Sequence, residues 1–428
     1  MWAMEEVAGE KSHNIGCGVE IDGPIDHSLF MKAIELSVVD MIGTQANFTV
    51  VDGALKKRVR PLGAWRPFLQ DFRNSESPAA TAESWAAEVL DRKYAIESDI
   101  LFRIGLVIVD YTRSILIVGG HHIILDGSLV SRIVQRISRE YEAAALGVVE
   151  SAEPDPAAIT SPSKQLVVRG EPVAMSDEEF WSDYLSDFVP MAPLPSVGRG
   201  SGALRIETLV TASEVAKWQR AAASMGIGVN QLIAGCFAVY VYRSTAVDGV
   251  CVRLATMGGE KHEVDTHAVS ANRVPLRVDI RRSDSVASVC ARVVSSMRAI
   301  LPRAGFGEAR LHRLVRPGSL ENPFGPTLNL IPFLGTVRFG DATGEFEHIR
   351  FGLIEDVTFV VQRNVGGGSA VKFITLANDD YYCREDIERF AQGVVDVITS
   401  FVRDGSVRVG AIDLLGSTER ESVVRAWN

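Results

Sequence analysis

Cysteine is scarce in this 428-residue chain: five residues, Cys17, Cys236, Cys251, Cys290 and Cys383, scattered, odd in number and mostly set in apolar runs. That pattern reads as reduced core thiols, and no CxxC spacing points to zinc. Long hydrophobic runs are also missing, because no segment approaches the roughly 20 apolar residues that a membrane span needs. The start, MWAMEEVAGEKS, carries acidic residues where a signal peptide would carry basic ones before an apolar stretch. A cytoplasmic protein is therefore expected. The net charge of −10, which no lysine or arginine run reverses, argues against nucleic acid as a partner. GxSxG and GxxxxGKS are both absent, which removes the common hydrolase and nucleotide-binding routes.

What is present is an ordinary globular composition, 46% hydrophobic and 23% charged, at a length that favours two domains. The alanine-, proline- and serine-rich stretch from Ser151 to Ser163 is the best linker, giving units 1–163 and 164–428. Each half mixes helices with strands in the manner of helices layered on a sheet, although no repeat is visible in the sequence.

The first half converges on ILIVGGHHIILDGSLV, Ile115 to Val130. Ile115 to Val118 is β-branched and free of charge, as a strand covered on both faces would be. From Ser128 onward Leu129, Ile133, Val134, Ile137 and Tyr141 recur at helical spacing, with Gly147 as a stop. His121 and His122 thus fall at a strand end, with Asp126 and Gly127 at the mouth of a helix. Adjacent strand residues point to opposite sides, so one histidine faces a cavity and the other faces packing. Asp126 is close enough to return and hold a ring nitrogen or a nearby arginine. Gly127 removes a side chain where the backbone must bend or a ligand must come close.

Around this stretch, strands are expected at Gly18 to Asp22 and Phe102 to Val109, the latter pairing with Ile115 to Val118. Helices are expected at Ser28 to Ile42 and Ala80 to Leu90, and a hairpin turns at Asp52-Gly53. The second half opens with a helix from Asp177 to Phe188, where Ser176 and Glu179 stand at capping-box spacing. Strand Leu204 to Leu209, helices Ser213 to Met225 and Gln231 to Arg243, and strand Val250 to Thr256 follow. Helix Asp284 to Leu301, strands near Thr327 to Phe333, Val357 to Gln362 and Val371 to Thr375, and helix Glu385 to Arg403 complete it.

Among candidate sites, a lone strand histidine is ordinarily a satisfied core residue. The compound pattern of two histidines, an aspartate four residues on and a glycine behind it, at a strand-to-helix junction, favours a positioned base at His122. A metal site on His121, His122 and Asp126 is the weaker reading, because neighbouring strand residues cannot reach one ion without distortion and no third ligand is apparent. His13, His27, His262, His267, His312 and His348 lack a partner pattern and read as surface or loop residues. Gly366 to Gly368 reads as a hairpin loop, and Asp379-Asp380 as a solvated turn that caps a helix.

HHIILDG resembles the HHxxxDG signature of the condensation domains of nonribosomal peptide synthetases, relatives of chloramphenicol acetyltransferase. The resemblance extends along nearly the whole chain. SDILFRIGLVIV is similar to the strand before the signature, FWSDYL to the helix entering the second lobe, and NRVPLR at 272–277 to the family's asparagine-x-x-Pro-Leu-Arg segment. NPFGPTLNLIPF, VRFG and IEDVTF resemble siderophore- and starter-type variants. The closing DLLGSTERESVVRAWN is similar to the stretch joining a condensation domain to an adenylation domain, which implies a piece of a larger synthetase.

The resemblance implies an α+β fold of two chloramphenicol acetyltransferase-like lobes forming a V-shaped pseudodimer with a tunnel between them. It implies amide bond formation between a carrier-bound acyl or peptidyl thioester and a carrier-bound aminoacyl acceptor, with His122 as the active-site residue. Asp126 would be structural, in a salt bridge for which Arg277 is the candidate partner. His121 and Gly127 complete the motif, and Gly120 and Asn329 would face the substrate channel. Gly119 and Gly120 stand where related domains carry bulkier side chains, which would widen the cavity. No metal or bound cofactor is expected, since the substrates ride on phosphopantetheine arms of upstream and downstream carrier proteins. Two departures stand out: the chain starts inside the first lobe, without the short segment that usually precedes it, and MIGTQANF lacks the arginine common after the first helix. The alternatives are a free-standing CoA-dependent acyltransferase, which the intact adenylation-side tail opposes, and a non-catalytic docking module, which the intact signature opposes.

Overall fold

In the computed structural model, residues 13–42, 44–51, 54–63, 65–147, 175–190, 203–245, 247, 249–257, 271–315, 323–331, 335–365 and 369–414 are described. The expected linker, Gly366 to Gly368, His262, His267 and most of the closing tail lie outside these residues.

The first half contains β1 (Asn14–Asp22), α1 (His27–Met41), β2 (Thr44–Val51), β3 (Ala54–Pro61), β4 (Phe68–Asp71), α2 (Pro78–Asp91), β5 (Phe102–Ile108), β6 (Arg113–His121) and α3 (Gly127–Ala145). Next come α4 (Met175–Tyr184), β7 (Ala203–Val210), α5 (Ala212–Ser224), α6 (Val229–Thr245), β8 (Val250–Met257), β9 (Ala271–Val278), α7 (Val286–Ile300) and α8 (Glu308–Val315). The remainder is β10 (Thr327–Ile331), β11 (Val337–Phe339), β12 (Ala342–Phe351), β13 (Val357–Val365), β14 (Ala370–Asn378) and α9 (Arg384–Arg403).

These elements build two six-stranded sheets, ordered β11-β12-β1-β6-β5-β4 and β7-β14-β13-β10-β8-β9, plus the separate hairpin β2-β3. The two-lobed α+β fold expected from sequence is observed. In β6 the alternation is complete: Leu116 and Val118 face a core shared with α1 and α3, whereas Ile115 and Ile117 face α2. Helices on both faces therefore explain why this strand is uniformly apolar. Its helix α3 ends as expected, with Gly147 in the left-handed conformation (φ 68°). In the second lobe, α6 buries twelve of its 17 residues and is apolar all round because helices and sheet enclose it. Among the described residues no single helix is long and apolar enough to cross a membrane. All five cysteines are free, and four are buried.

Two expectations need correction. Helix α4 begins at Met175, so Ser176 lies inside it and the expected capping box with Glu179 is not its start. The two sheets also do not follow a single cut near residue 163. Strands β11 and β12, at 337–351, belong to the first sheet, where β12 pairs antiparallel with β1 from Ile15↔Phe351 to Asp22↔Thr343. Pro275 sits in β9 without disrupting the sheet because β9 is its edge strand, where a missing N–H costs no ladder bond.

Candidate active site

The site is built by the corner where β6 leaves the sheet. His121 still pairs with Asn14 of β1 and donates its amide N–H to the Leu101 carbonyl at 2.8 Å. One residue later the chain turns, and the amides of Ile124 and Leu125 both bond back to the His121 carbonyl. The two rings consequently part. That of His121 is buried beside Tyr94 and His13, and its Nδ1 accepts the Ile123 N–H at 3.1 Å. That of His122 is only half-buried, with Nδ1 2.9 Å from the Leu125 carbonyl oxygen.

A carbonyl can only accept, so Nδ1 of His122 carries the hydrogen and the neutral ring presents its lone pair at Nε2. Burial pushes the His122 ring below its ordinary pKa. The Leu125 carbonyl and Asp126 pull the other way, while the Arg273 guanidinium adds to the depression. The result is a neutral, oriented imidazole whose Nε2 has no hydrogen-bond partner among the described residues. Gly352 guards its flank: a Cβ there would lie 3.4 Å from His122 Cδ2, and its φ of 76° suits glycine.

Asp126 is 1% exposed and is the N-cap of α3: Oδ1 accepts the Leu129 N–H at 2.8 Å and Oδ2 the Ala271 N–H at 3.1 Å. One carboxylate thus fixes the histidine corner and ties it to the first residue of β9 in the other sheet. Gly127, the first residue of α3, is exposed and lies outside the left-handed region, so the backbone bend expected of it is absent. The expected pairing of Asp126 with Arg277 is also not found. Arg277 bonds the Tyr184 carbonyl and the Asp187 carboxylate (2.8 Å) and lies near the Tyr184 and Phe188 rings. It stands six residues along β9 from Ala271, roughly 20 Å at strand rise, too far to reach Asp126.

Gly120 does not widen a channel either. A Cβ there would lie 2.6 Å from the Leu101 carbonyl oxygen, and one on Gly119 would lie 2.6 Å from a Leu90 methyl. Both glycines are filled by neighbours, so Gly120→Ala is expected to destabilise the protein by about 1–3 kcal/mol, measured by urea unfolding. A neutral result would show that the backbone yields there. Asn329 is half-exposed in β10, in register with Val360 of β13.

Sequence reasoning missed a charged box beside the histidine. Arg253, 1% exposed, bonds Glu355 and reaches Glu308 at 3.4 Å, while Arg273 bonds Glu308 at 2.9 Å and Glu355 at 3.3 Å. Glu355 lies three residues beyond Gly352, and Arg273 two beyond Ala271, so the box locks both segments that border the His122 corner. Arg253 interrupting the apolar VCVRLA was the available signal, because a charge inside a buried run requires partners.

The model of the Condensation domain family matches residues 1–424. The chain is 24% identical over 414 residues to a dimodular nonribosomal peptide synthase of Bacillus subtilis (strain 168), covering 96% of this chain and 17% of that protein. It is 23% identical over 418 residues to an isonitrile lipopeptide synthase of Streptomyces coeruleorubidus, covering 93% and 27%. The chain thus spans about a fifth of these relatives. Among solved structures it resembles the first condensation domain of the calcium-dependent antibiotic synthetase with a substrate analogue (TM-score 0.80, 22% identity, 97% of each chain). It also resembles a mutant starter condensation domain of rhizomide synthetase with C8-CoA and Leu-SNAC (TM-score 0.83, 21% identity, 97% and 95%). A match over all but the last residues, with the histidine pair and aspartate placed at a strand-to-helix corner, shows that the chain belongs to the condensation-domain family, the acyltransferase domains that form amide bonds in nonribosomal peptide synthetases.

Proposed function

We propose that this chain joins an acyl or peptidyl thioester to the amine of an aminoacyl thioester, both held on phosphopantetheine arms of carrier proteins, with His122 accepting the proton. The amine nitrogen attacks the thioester carbonyl and Nε2 of His122 takes its proton. The tetrahedral oxyanion then collapses, the C–S bond breaks, and the departing thiolate receives the proton, so that amide and free thiol leave with no other reactant consumed. The observation that carries this reading is the Leu125 carbonyl on Nδ1, which commits the free lone pair to Nε2. Tethering both reactants makes the encounter effectively unimolecular, which supplies much of the rate gain. Asp126 acts by holding the corner, His121 by packing beneath it, Gly127 by leaving space at the helix mouth, and Asn329 by facing the channel.

Upstream and downstream carriers and a neighbouring adenylation domain are the partners this reading requires, and the relatives' much greater length supports it. The test is reconstitution with two loaded carriers and mass spectrometry of the acceptor, on which the amide product should appear. Product from a soluble acyl-CoA but not from a loaded donor carrier would replace this reading with a free-standing acyltransferase.

The depressed pKa of His122 has a measurable sign. A lowered value keeps the ring neutral to lower pH, so the His122 limb of kcat/KM should fall below the ordinary histidine value of roughly 6.5. The acceptor amine titrates separately near ~8 and is allowed for in the fit. A histidine limb at or above 6.5 would contradict a neutral, half-buried base.

A further inference from the structure

Strand β4 closes one side of the first sheet, but it pairs with β5 only from Gly105 onward. Residues 102–104 therefore present a sheet edge that no described strand covers. A cleft of about 400 Å³ opens there, with Trp65, Arg66, Arg92, Asp99, Phe102 and Arg103 among its walls. Leu101 accepts the His121 N–H, and antiparallel bonding alternates along a strand, so Phe102 turns its own N–H and C=O away from β6 and toward this edge. The two faces beside the edge differ in chemistry. Phe102 is buried with the Trp65 ring 5.4 Å away between centroids, whereas Arg103 leaves by the opposite face and lies over the Tyr94 ring at 4.0 Å.

Three guanidinium groups line this cleft against one carboxylate. Arg92 and Arg103 form no ion pair among the described residues, and Arg103 is steadied by donating to the Arg92 carbonyl at 3.0 Å. Arg66 is 65% exposed, with Glu35 at 3.3 Å. Asp99 is partly engaged, since its Oδ2 accepts the Ala95 N–H at 2.9 Å. The adjoining hairpin extends the field: β3 carries the exposed Lys56, Lys57 and Arg58, neither β2 nor β3 has an acidic residue, and Asn47 ties the hairpin to the Asp99 carbonyl at 2.8 Å. In a chain of net charge −10 this is a local reversal of sign. Basic side chains beside an open sheet edge ward off most strands that could pair there. An acidic strand is the partner whose charge they complement.

We infer that this cleft binds an extended acidic segment of a partner protein, added as a short strand to β5 at 102–104. Its carboxylates meet Arg92 and Arg103, and its alternate side chains, which are apolar, lie against Trp65 and Phe102. The alternation follows from the edge itself, because successive residues of an added strand point to opposite faces and the faces here are one basic and one aromatic. Guanidinium groups suit carboxylates because their planar donors match the two oxygens. The cleft includes no residue of the His122 corner, so it recruits a partner and takes no part in amide formation.

The experiment is fluorescence anisotropy with a labelled hexapeptide that alternates glutamate and valine, titrated with the full chain. It needs neither carriers nor turnover, so its outcome is independent of the amide-forming reading. The glutamate peptide should bind roughly ten- to hundredfold more tightly than the same peptide with glutamine, and Arg92→Glu should remove that difference. Arg92 is exposed and lies outside the catalytic corner, so this variant should keep the parent's unfolding midpoint and amide-forming rate. Arg66→Glu repeats the test from the other wall. A glutamate peptide methylated on its central amides keeps its charge but cannot complete the ladder, and it should bind roughly tenfold more weakly. Equal affinity for the glutamate and glutamine peptides, an Arg92→Glu protein that still discriminates, or full binding of the methylated peptide overturns the proposal. Capture by phosphatidylserine vesicles without peptide binding does so too, since it assigns the cations to a lipid surface.

Discussion

Replacing His122 by alanine is expected to slow amide formation by roughly 10²–10⁴-fold, the usual worth of a positioned base, while the unfolding midpoint stays close to that of the parent. The separation of these effects follows from the geometry. The ring is half-buried and its single described hydrogen bond, to the Leu125 carbonyl, is local, whereas the corner itself is held by backbone bonds and by Asp126. Single-turnover product formation with loaded carriers reads the chemical step without product release. An alanine protein that retains the full rate would assign the chemistry to another group. His122→Gln adds a control, since an amide can reproduce a hydrogen bond but cannot accept a proton at neutral pH. Loss in both variants assigns proton transfer, and recovery in glutamine assigns orientation of the amine.

Glu355→Gln should cost about 3–5 kcal/mol of stability in urea unfolding, a large fraction of what a domain possesses, because it leaves the buried Arg253 with only the longer 3.4 Å contact to Glu308 as an ion pair. Burial alone would raise the Glu355 carboxyl, but Arg273 and Arg253 outweigh it and hold the pKa well below the usual range. A depressed carboxylate contributes above its unfolded pKa of about 4.3 and loses that contribution as the pH falls toward the folded value. The destabilisation should therefore be full at neutral pH and shrink in acid. An exposed control, Glu388→Gln, removes a 3.3 Å pair with Arg384 and should move stability by under about 0.5 kcal/mol. Replacing Arg253 and Glu355 together by methionine and leucine should recover much of the loss, since an apolar pair demands no partner. Glu355→Gln within 1 kcal/mol of the parent would show that Glu308 alone suffices.

The histidine corner was legible because its signals are local: an apolar run, a capping aspartate and a helical repeat, all within about thirty residues. Strand alternation led to the expectation that His121 and His122 part, but the strand ends at His121 and it is the turn after it that separates the rings. The partner of Asp126 was not legible, because the choice between the Ala271 amide and the Arg277 side chain depends on which end of β9 approaches the corner, and no local pattern encodes that. The same holds for β12, whose partner β1 lies more than 300 residues away in sequence. Gly120 misled for another reason. Sequence shows only that a side chain is missing, and the space had been taken by the Leu101 carbonyl rather than left open.

The strands that cross from the second half into the first sheet bear on how this molecule could be dissected. Residues up to 163 expressed alone would present β1 with one bare flank and a core stripped of Phe339, Phe346 and Ile349. Such a fragment is an incomplete fold that seeks a donor strand, so pieces severed in the middle should regain order only by reassembling. The chain behaves as two clasped hands, in which the fingers of one complete the palm of the other.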